Sequence, residues 1–359
     1  MIKKYELKKD VVTLARERIK NCFQTAKEIS FSVSGGKDSI CLNDLIFQMC
    51  QSGEIDKNKL EINFIDEEAI YPCIEEQVKK MRLQWLSIGV KFNWWCIQVK
   101  HYNCLNQLSS DESFICWDKQ KKDVWVREMP KFAIKSSPLL VERKDTYQHF
   151  LDKYNKGKTV MIGVRCSESL QRLINLANRK QKDIIYPIYD WRNTDVWNYI
   201  RTRNLEFPNA YLYMFQVGKS KKEMRCSQFF SIDTMPSLVQ MCEFYPSLFD
   251  KICKREPNAY MAMLYYDTEL YRRKKGENAK DNKNYKEEVL KLMKEKWRFE
   301  TPSMKRVETE IKKILVNYGA ILNKNHYKTI YEVIIGGDPK LRTIRGLLVS
   351  IGGTKKNGK

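Results

Sequence analysis

A chain of 359 residues with 43% hydrophobic and 12% aromatic residues carries enough apolar side chain for two globular domains, which excludes global disorder. Lysine and arginine number 65 against 44 acids; the formal charge of +21 points to polyanionic partners such as nucleic acid or nucleotides. The 11 cysteines form no Cys-x-x-Cys pair, and the start Met1-Ile2-Lys3-Lys4-Tyr5-Glu6 lacks the apolar core of a signal peptide. No uncharged apolar run nears the ~18 residues that span a bilayer, so a cytoplasmic chain with reduced thiols and no membrane association is expected.

Residues 10–28 predict an opening helix, with Val12, Leu14, Ala15, Ile19 and Phe23 at three- and four-residue spacing. Ile29 to Val33 alternates as a strand, a glycine turn follows, and Ile40, Leu42, Leu45, Ile46 and Met49 mark a helix. The plan repeats. Leu60, Ile62 and Phe64 alternate up to Asp66, and Ile74, Val78, Met81, Trp85 and Ile88 define one apolar helix face. Phe92 to Val99 reads as a third strand, and residues 101–150 as an insertion over the sheet edge. Thr159 to Arg165 predicts a buried strand, Ser169 to Arg179 a helix and Ile184 to Ile188 a strand. Thr194 is expected to cap a helix containing Val196, Trp197 and Ile200, with Asp195 in its first turn. Alternation of this kind predicts an α/β fold, a doubly wound parallel sheet with helices on both faces. Its ligand site would lie beyond the carboxyl ends of the strands, after Val33, Ile65 and Val164.

The composition changes near residue 235. We therefore expect residues 1–235 to form the nucleotide-binding domain and residues 236–359 a basic, mainly helical region. Residues 235–270 show helical apolar spacing, residues 271–298 are dense in charge, including Arg272-Arg273-Lys274-Lys275, and residues 303–335 are helical again. Ile344, Leu347 and Leu348 beside Lys340, Arg342 and Arg345 predict a helix with one packed and one basic face. The tail from Gly352 is expected to be loose.

The strand, Gly-Gly turn, lysine and helix start at Ser34-Gly35-Gly36-Lys37-Asp38-Ser39 make an anion site by geometry. Glycines let backbone amides approach phosphate, and a helix N-terminus adds its dipole and free N–H groups. Ser34 and Ser39 add hydroxyls and Lys37 a cation. The spacing is not that of the Walker A loop. An ordinary strand-to-helix turn is the plainer alternative, which the complete hexapeptide in this context outweighs.

This hexapeptide resembles the pyrophosphatase loop (PP-loop) of N-type ATP pyrophosphatases and of phosphoadenosine phosphosulfate (PAPS) reductases. Gly163-Val164-Arg165-Cys166-Ser167-Glu168-Ser169 is similar to the reductase family's Gly-x-Arg-x-x-Glu-Ser. Tyr186-Pro187-Ile188-Tyr189-Asp190-Trp191, followed by Asp195-Val196-Trp197, resembles its Pro-[Ile/Leu]-x-Asp-Trp segment and Asp-Val-Trp. The resemblance covers about residues 20–230. It implies an adenine nucleotide alpha-hydrolase-like fold, with ATP or a related adenine nucleotide as ligand and Mg²⁺ as cofactor. By the resemblance, Ser34, Gly35, Gly36, Lys37, Asp38, Ser39, Asp66, Gly163 and Arg165 bind nucleotide. Lys37, Asp38 and Arg165 would act in catalysis, and Asp38 would meet the metal. Asp66-Glu67-Glu68 stands where the family has Asp-Thr-Gly. Trp191 and Trp197 read as packing residues, and Arg165 has an ion pair with Glu168 as its plainer alternative.

A sulfonucleotide reductase needs a thiolate, which that family carries in a Glu-Cys-Gly-x-His segment; the sequence has none, and its last cysteine is Cys253. Reductase activity is therefore disfavoured. The favoured expectation is cleavage of ATP to AMP and pyrophosphate, activating a substrate for nucleic-acid modification such as thiolation. A nucleotide-gated nucleic-acid-binding subunit without turnover stays open. The charge favours DNA or RNA, contacted through the basic region. That region resembles the extension in reductase-like proteins of phages and mobile elements, some encoded beside ParB-like partners. Cys226 and Cys166 are the candidate thiols, Cys166 with a pKa lowered by Arg165 and Cys226 with a buried structural role as its alternative. His101, His149 and His326 are too dispersed to suggest a metal site.

Overall fold

The computed structural model describes residues 9–106, 113–168, 183–220, 224–226, 229–230, 239–265, 284–338 and 340–356. The chain divides into two compact units. One comprises Met1–His101, Ile115–Phe229 and Gln240–Arg255; the other comprises Tyr102–Phe114, Phe230–Val239 and Glu256–Lys359.

The first unit is built on five parallel strands: β1 (Ile29–Ser32), β2 (Leu60–Ile65), β3 (Lys91–Trp95), β4 (Thr159–Ile162) and β5 (Ile184–Ile185). Their order across the sheet is β3-β2-β1-β4-β5. The chain runs outward from β1 to β3, then returns to pair β4 with the other side of β1. A parallel sheet whose order reverses this way opens a crevice at the carboxyl ends of the two central strands. Phe31 stands in register with Ile62 on one side and Met161 on the other, all essentially unexposed.

Helix α1 (Val11–Thr25) is capped by Asp10, whose carboxylate accepts from the backbone N–H groups of Val12 at 2.9 Å and Thr13 at 3.0 Å. It buries Ala15, Ile19, Cys22 and Phe23. Helices α2 (Lys37–Gln51) and α3 (Pro72–Ser87) link the first three strands, and α3 buries Ile74, Val78, Met81 and Trp85, as their spacing predicts. Layers on both faces also bury polar strand residues. Asn63 and Asn93 are each 2% exposed, and the Asn93 amide donates to Asn63 Oδ1 at 3.0 Å while Asn63 donates to Ser30 Oγ at 2.9 Å. A buried amide without such partners would cost a few kcal/mol, so this row across three strands is what makes the polar positions tolerable.

Several boundaries differ from the sequence expectation. β3 stops at Trp95 because Cys96 donates its N–H to Ile134 instead, and Ile134 donates to Trp94. β4 stops at Ile162, where Val164 N–H turns back to Ile162 O at 3.0 Å. β5 is only two residues long; Pro187 has no N–H for a ladder. Helix α4 (Tyr147–Tyr154) lies within the predicted insertion. Helix α5 (Asn193–Thr202) starts one residue before Thr194, so Thr194 is not its cap; Asp195 closes the first turn by accepting from Arg192 N–H at 2.7 Å. The helix expected over 169–179 lies outside the described residues. Helices α6 (Ala210–Gln216) and α7 (Pro246–Arg255) complete this unit.

The second unit is helical: α8 (Asn258–Tyr265), α9 (Tyr285–Leu292), α10 (Pro302–Tyr318), α11 (Lys324–Gly336) and α12 (Arg342–Lys356). α10 begins with Thr301 accepting from Met304 N–H at 3.3 Å and Pro302 in its first position. Its stripe Val307, Ile311 and Ile314 meets Ile330 and Val333 in one buried cluster. Each such side chain contributes about 1.5–3 kcal/mol by leaving water. Asp338 caps α12, accepting from Arg342 and Ile344 N–H groups at 2.9 Å. Ile344 and Leu347 are buried, while Lys340, Arg342 and Arg345 are exposed, giving the predicted packed and basic faces. The helix continues to Lys356, correcting the expectation of a loose tail from Gly352. Ile351 is fully buried, and that anchor carries the helix through glycines costing about 1 kcal/mol each. Arg272-Arg273-Lys274-Lys275 lies outside the described residues. Among the described residues, no helix is long and apolar enough to cross a membrane.

Candidate functional site

The hexapeptide Ser34 to Ser39 leaves the end of β1 and enters α2 in the crevice between β1 and β4. Gly35 has φ +72°, a left-handed backbone open to glycine at no steric cost. A Cβ there would lie 2.8 Å from Val78 Cγ2, so Gly35 also lets the loop sit against α3. Ser39 Oγ accepts from Ser34 N–H at 3.0 Å, folding the loop back on itself. Gly36 occupies the cap position of α2 with no side-chain hydrogen bond to the helix start. A Cβ on Gly163 would come within 3.3 Å of the Asp38 carbonyl, so the end of β4 passes directly over the first turn of α2.

Three charged side chains meet in this crevice. Arg165 is 1% exposed and Lys37 4% exposed, a depth at which either cation needs a partner. Asp38 serves both: Arg165 Nε donates to its Oδ1, and Lys37 Nζ lies 3.5 Å from its Oδ2. Arg165 is fixed further by donating to Ser167 Oγ and Asn193 Oδ1, each at 3.0 Å. Ser167 Oγ in turn donates to Trp191 O at 3.0 Å. Arg165 is thus buried rather than a surface residue, and the Glu168 side chain of its plainer alternative lies outside those described. Lys37 Nζ also donates to Met224 O at 3.3 Å, and Lys37 N–H donates to the Tyr211 hydroxyl at 3.1 Å.

Asp66 is placed differently from the loop residues. It is fully buried, with Oδ2 accepting from Trp94 Nε1 at 2.7 Å and Oδ1 paired with Arg127. Arg127 also reaches Glu75 Oε1 at 3.1 Å. Two residues on, Glu68 has φ +66° at the position of the glycine in the family's Asp-Thr-Gly. Its carboxylate is fully buried and accepts from Arg255 Nε at 2.9 Å and Trp117 N–H at 2.7 Å. A left-handed glutamate costs roughly 1–2 kcal/mol, which this anchorage offsets.

The candidate thiols are not activated. Burial pushes the Cys226 thiol up to about 12, with neighbouring Cys73 adding to the effect. Burial also raises Cys166, and Asp190 raises it further, correcting the expectation that Arg165 lowers it. A thiol near 12 holds only about one part in ten thousand as thiolate at pH 8. Native protein exposed to iodoacetamide at pH 8 should therefore leave the Cys226 peptide unalkylated by mass spectrometry, whereas denatured protein should be modified there. Rapid native alkylation would show that the thiol is ionised.

Residue patterning revealed the loop and Arg165 but not Tyr211, Arg127 or Arg255, whose partners are remote in sequence. Asn193 and Ser167 lie within quoted motifs without being singled out.

The parallel α/β sheet with a glycine loop and paired buried cations at its switch point has the fold class and the site position that the sequence predicts. The chain belongs to the phosphoadenosine phosphosulfate reductase domain family, whose model matches residues 28–216. It is 25% identical over 302 residues, 76% of this chain and 72% of the relative, to the uncharacterized protein YbdN of Escherichia coli (strain K12). Among solved structures it is similar to a PAPS reductase from Candida auris, at 13% identity and TM-score 0.35, covering 64% of this chain and 98% of that one. A Candida glabrata FMN adenylyltransferase matches at 18% identity and TM-score 0.34, over 56% of this chain; the chain spans 58% of that protein. The U34-tRNA thiolase NcsA from Methanococcus maripaludis matches at 11% identity and TM-score 0.30, over 70% of this chain and 78% of that one.

Proposed function

We propose that this protein is an ATP pyrophosphatase that cleaves ATP to AMP and pyrophosphate and so activates a substrate, with a nucleic acid as the modified partner. The observation that carries the reading is the cluster of Lys37, Asp38 and Arg165 at the uncapped start of α2. Cleavage between the α and β phosphates develops charge on the departing pyrophosphate. Two cations held in a mostly dry crevice stabilise that charge far better than they would in water. Arg165 is positioned by Ser167 and Asn193, so it needs little reorganisation when phosphate arrives. Lys37, on a flexible stem, can exchange Met224 O for a phosphate oxygen. Asp38 Oδ1 is held by Arg165, and Oδ2, 3.5 Å from Lys37, is the oxygen that would turn to Mg²⁺, which takes one or two carboxylates plus phosphate oxygens. When bound, Mg²⁺ would neutralise phosphate charge there.

The raised pKa values of Cys166 and Cys226 weigh against either as the nucleophile of a sulfonucleotide reductase. The net charge of +21 favours a polyanionic partner over a small one. The test is incubation with labelled ATP, Mg²⁺ and either DNA or tRNA. AMP and pyrophosphate are the expected products, increased by the correct nucleic acid. Clean ADP release would reject the reading, and sulfite formed from PAPS would replace it with reduction.

A further inference from the structure

The first unit contains a second cavity that the glycine loop does not use. It measures about 660 Å³, within the size range of small-ligand sites. None of its lining residues belongs to the loop or to the Arg165 cluster. Its floor is Cys96, just past β3, together with Trp117 and Val126. Trp117 Nε1 donates to Asp66 O at 2.7 Å, which ties the floor to the carboxyl end of β2. The cavity therefore opens at the strand ends where sheets of this kind take ligands.

Its chemistry is two-sided. Trp125 is half-buried, with its ring edge-on to Trp117 at 5.2 Å and its indole N–H held by Asp118 O at 2.8 Å, so the ring is fixed in place. Around it stand Lys122, Lys135 and Lys251, all exposed and without a carboxylate partner among the described residues. Lys119 and Arg127 also line the cavity but are already paired, with Glu142 and Asp66. Among the described lining residues, Asp123 and Glu128 are the acids that oppose these cations. A rigid aromatic ring below unpaired lysines matches a flat ring that carries phosphate: stacking takes the ring and the cations take the anion.

We propose that this cavity binds a nucleotide, either free or as one unit of a single strand. Binding there does not depend on ATP cleavage, although under the function proposed above it would seat the substrate. The test uses the full-length protein, a short single-stranded DNA and free AMP, with affinity and stoichiometry measured by calorimetry. Replacing Lys122, Lys135 and Lys251 with Ser should weaken DNA binding by at least about tenfold. It should also lower the slope of log K against log salt by about 2, from roughly 0.7 per lost phosphate contact on single strands. Trp125→Ala should weaken binding by about 5- to 150-fold, the value of one stacked base. If the triple variant instead loses one AMP site while its DNA affinity holds, the cavity takes the free nucleotide. Lys37→Ala should leave this binding intact even if pyrophosphate release is absent in every protein, which separates the cavity from the loop. Unchanged affinity and stoichiometry in the triple variant would overturn the proposal. So would loss of all binding in Lys37→Ala, which would make the cavity part of the loop site.

Discussion

Lys37→Ala is expected to lower nucleotide turnover by about 10²- to 10³-fold, the usual effect of deleting one preorganised donor to a developing anion. The protein should stay folded, because among the described residues the side chain makes one weak hydrogen bond, to Met224 O at 3.3 Å, a 3.5 Å ion pair and a cation–π contact with Tyr211 at 5.2 Å. Asp38→Ala should behave differently. It removes the Asp38 carboxylate to which Arg165, 1% exposed, donates, and breaking a buried ion pair by removing one partner costs about 3–5 kcal/mol. Lost activity in that variant would report instability as much as chemistry. Asp38→Asn keeps an acceptor for Arg165 Nε and should melt closer to wild type while still losing turnover. Pyrophosphate release and calorimetric melting, measured on all three, separate these effects. Wild-type turnover by Lys37→Ala would remove the loop from the catalytic machinery.

What the sequence made legible was local. A strand ending in two glycines, a lysine and a helix start is written in consecutive residues, and the apolar spacing of α3 lies within one helix. What it hid depends on tertiary partners. Asp66 was marked by its place after β2, but its burial beneath Trp94 and Arg127 arises only once remote residues fold over it. Cys166 beside Arg165 suggested an activated thiol. In the structure that guanidinium is committed to Asp38, Ser167 and Asn193, and burial governs the thiol instead. Gly352 and Gly353 read as a loose tail because helix propensity is local, yet Ile351 packs into the cluster of the helical unit. Packing of one apolar face, more than propensity, sustains most protein helices.

The Asp66-Glu67-Glu68 segment departs from the family's Asp-Thr-Gly, and its consequence for stability is the second large effect. Glu68 and Arg255, 187 residues apart, form an ion pair in which both side chains are 1% exposed or less. Burial pushes the Glu68 carboxyl up even against the pull of Arg255 and the N–H groups of Trp117 and Val126. For the Glu68 carboxylate, desolvation thus outweighs the attraction it receives, as is common for buried charges. Arg255→Met should therefore destabilise the protein by about 3–5 kcal/mol, because it strands a carboxylate in the interior. It also removes the donor to Ile115 O, now at 2.7 Å. Adding Glu68→Gln removes the stranded charge while an amide oxygen still accepts from Trp117. The double variant should then be more stable than Arg255→Met alone, although it carries one more substitution. Urea midpoints for the wild type, both single variants and the double variant give the coupling directly. Additive losses would show that the two residues are independent and that the left-handed Glu68 is held by its backbone donors alone.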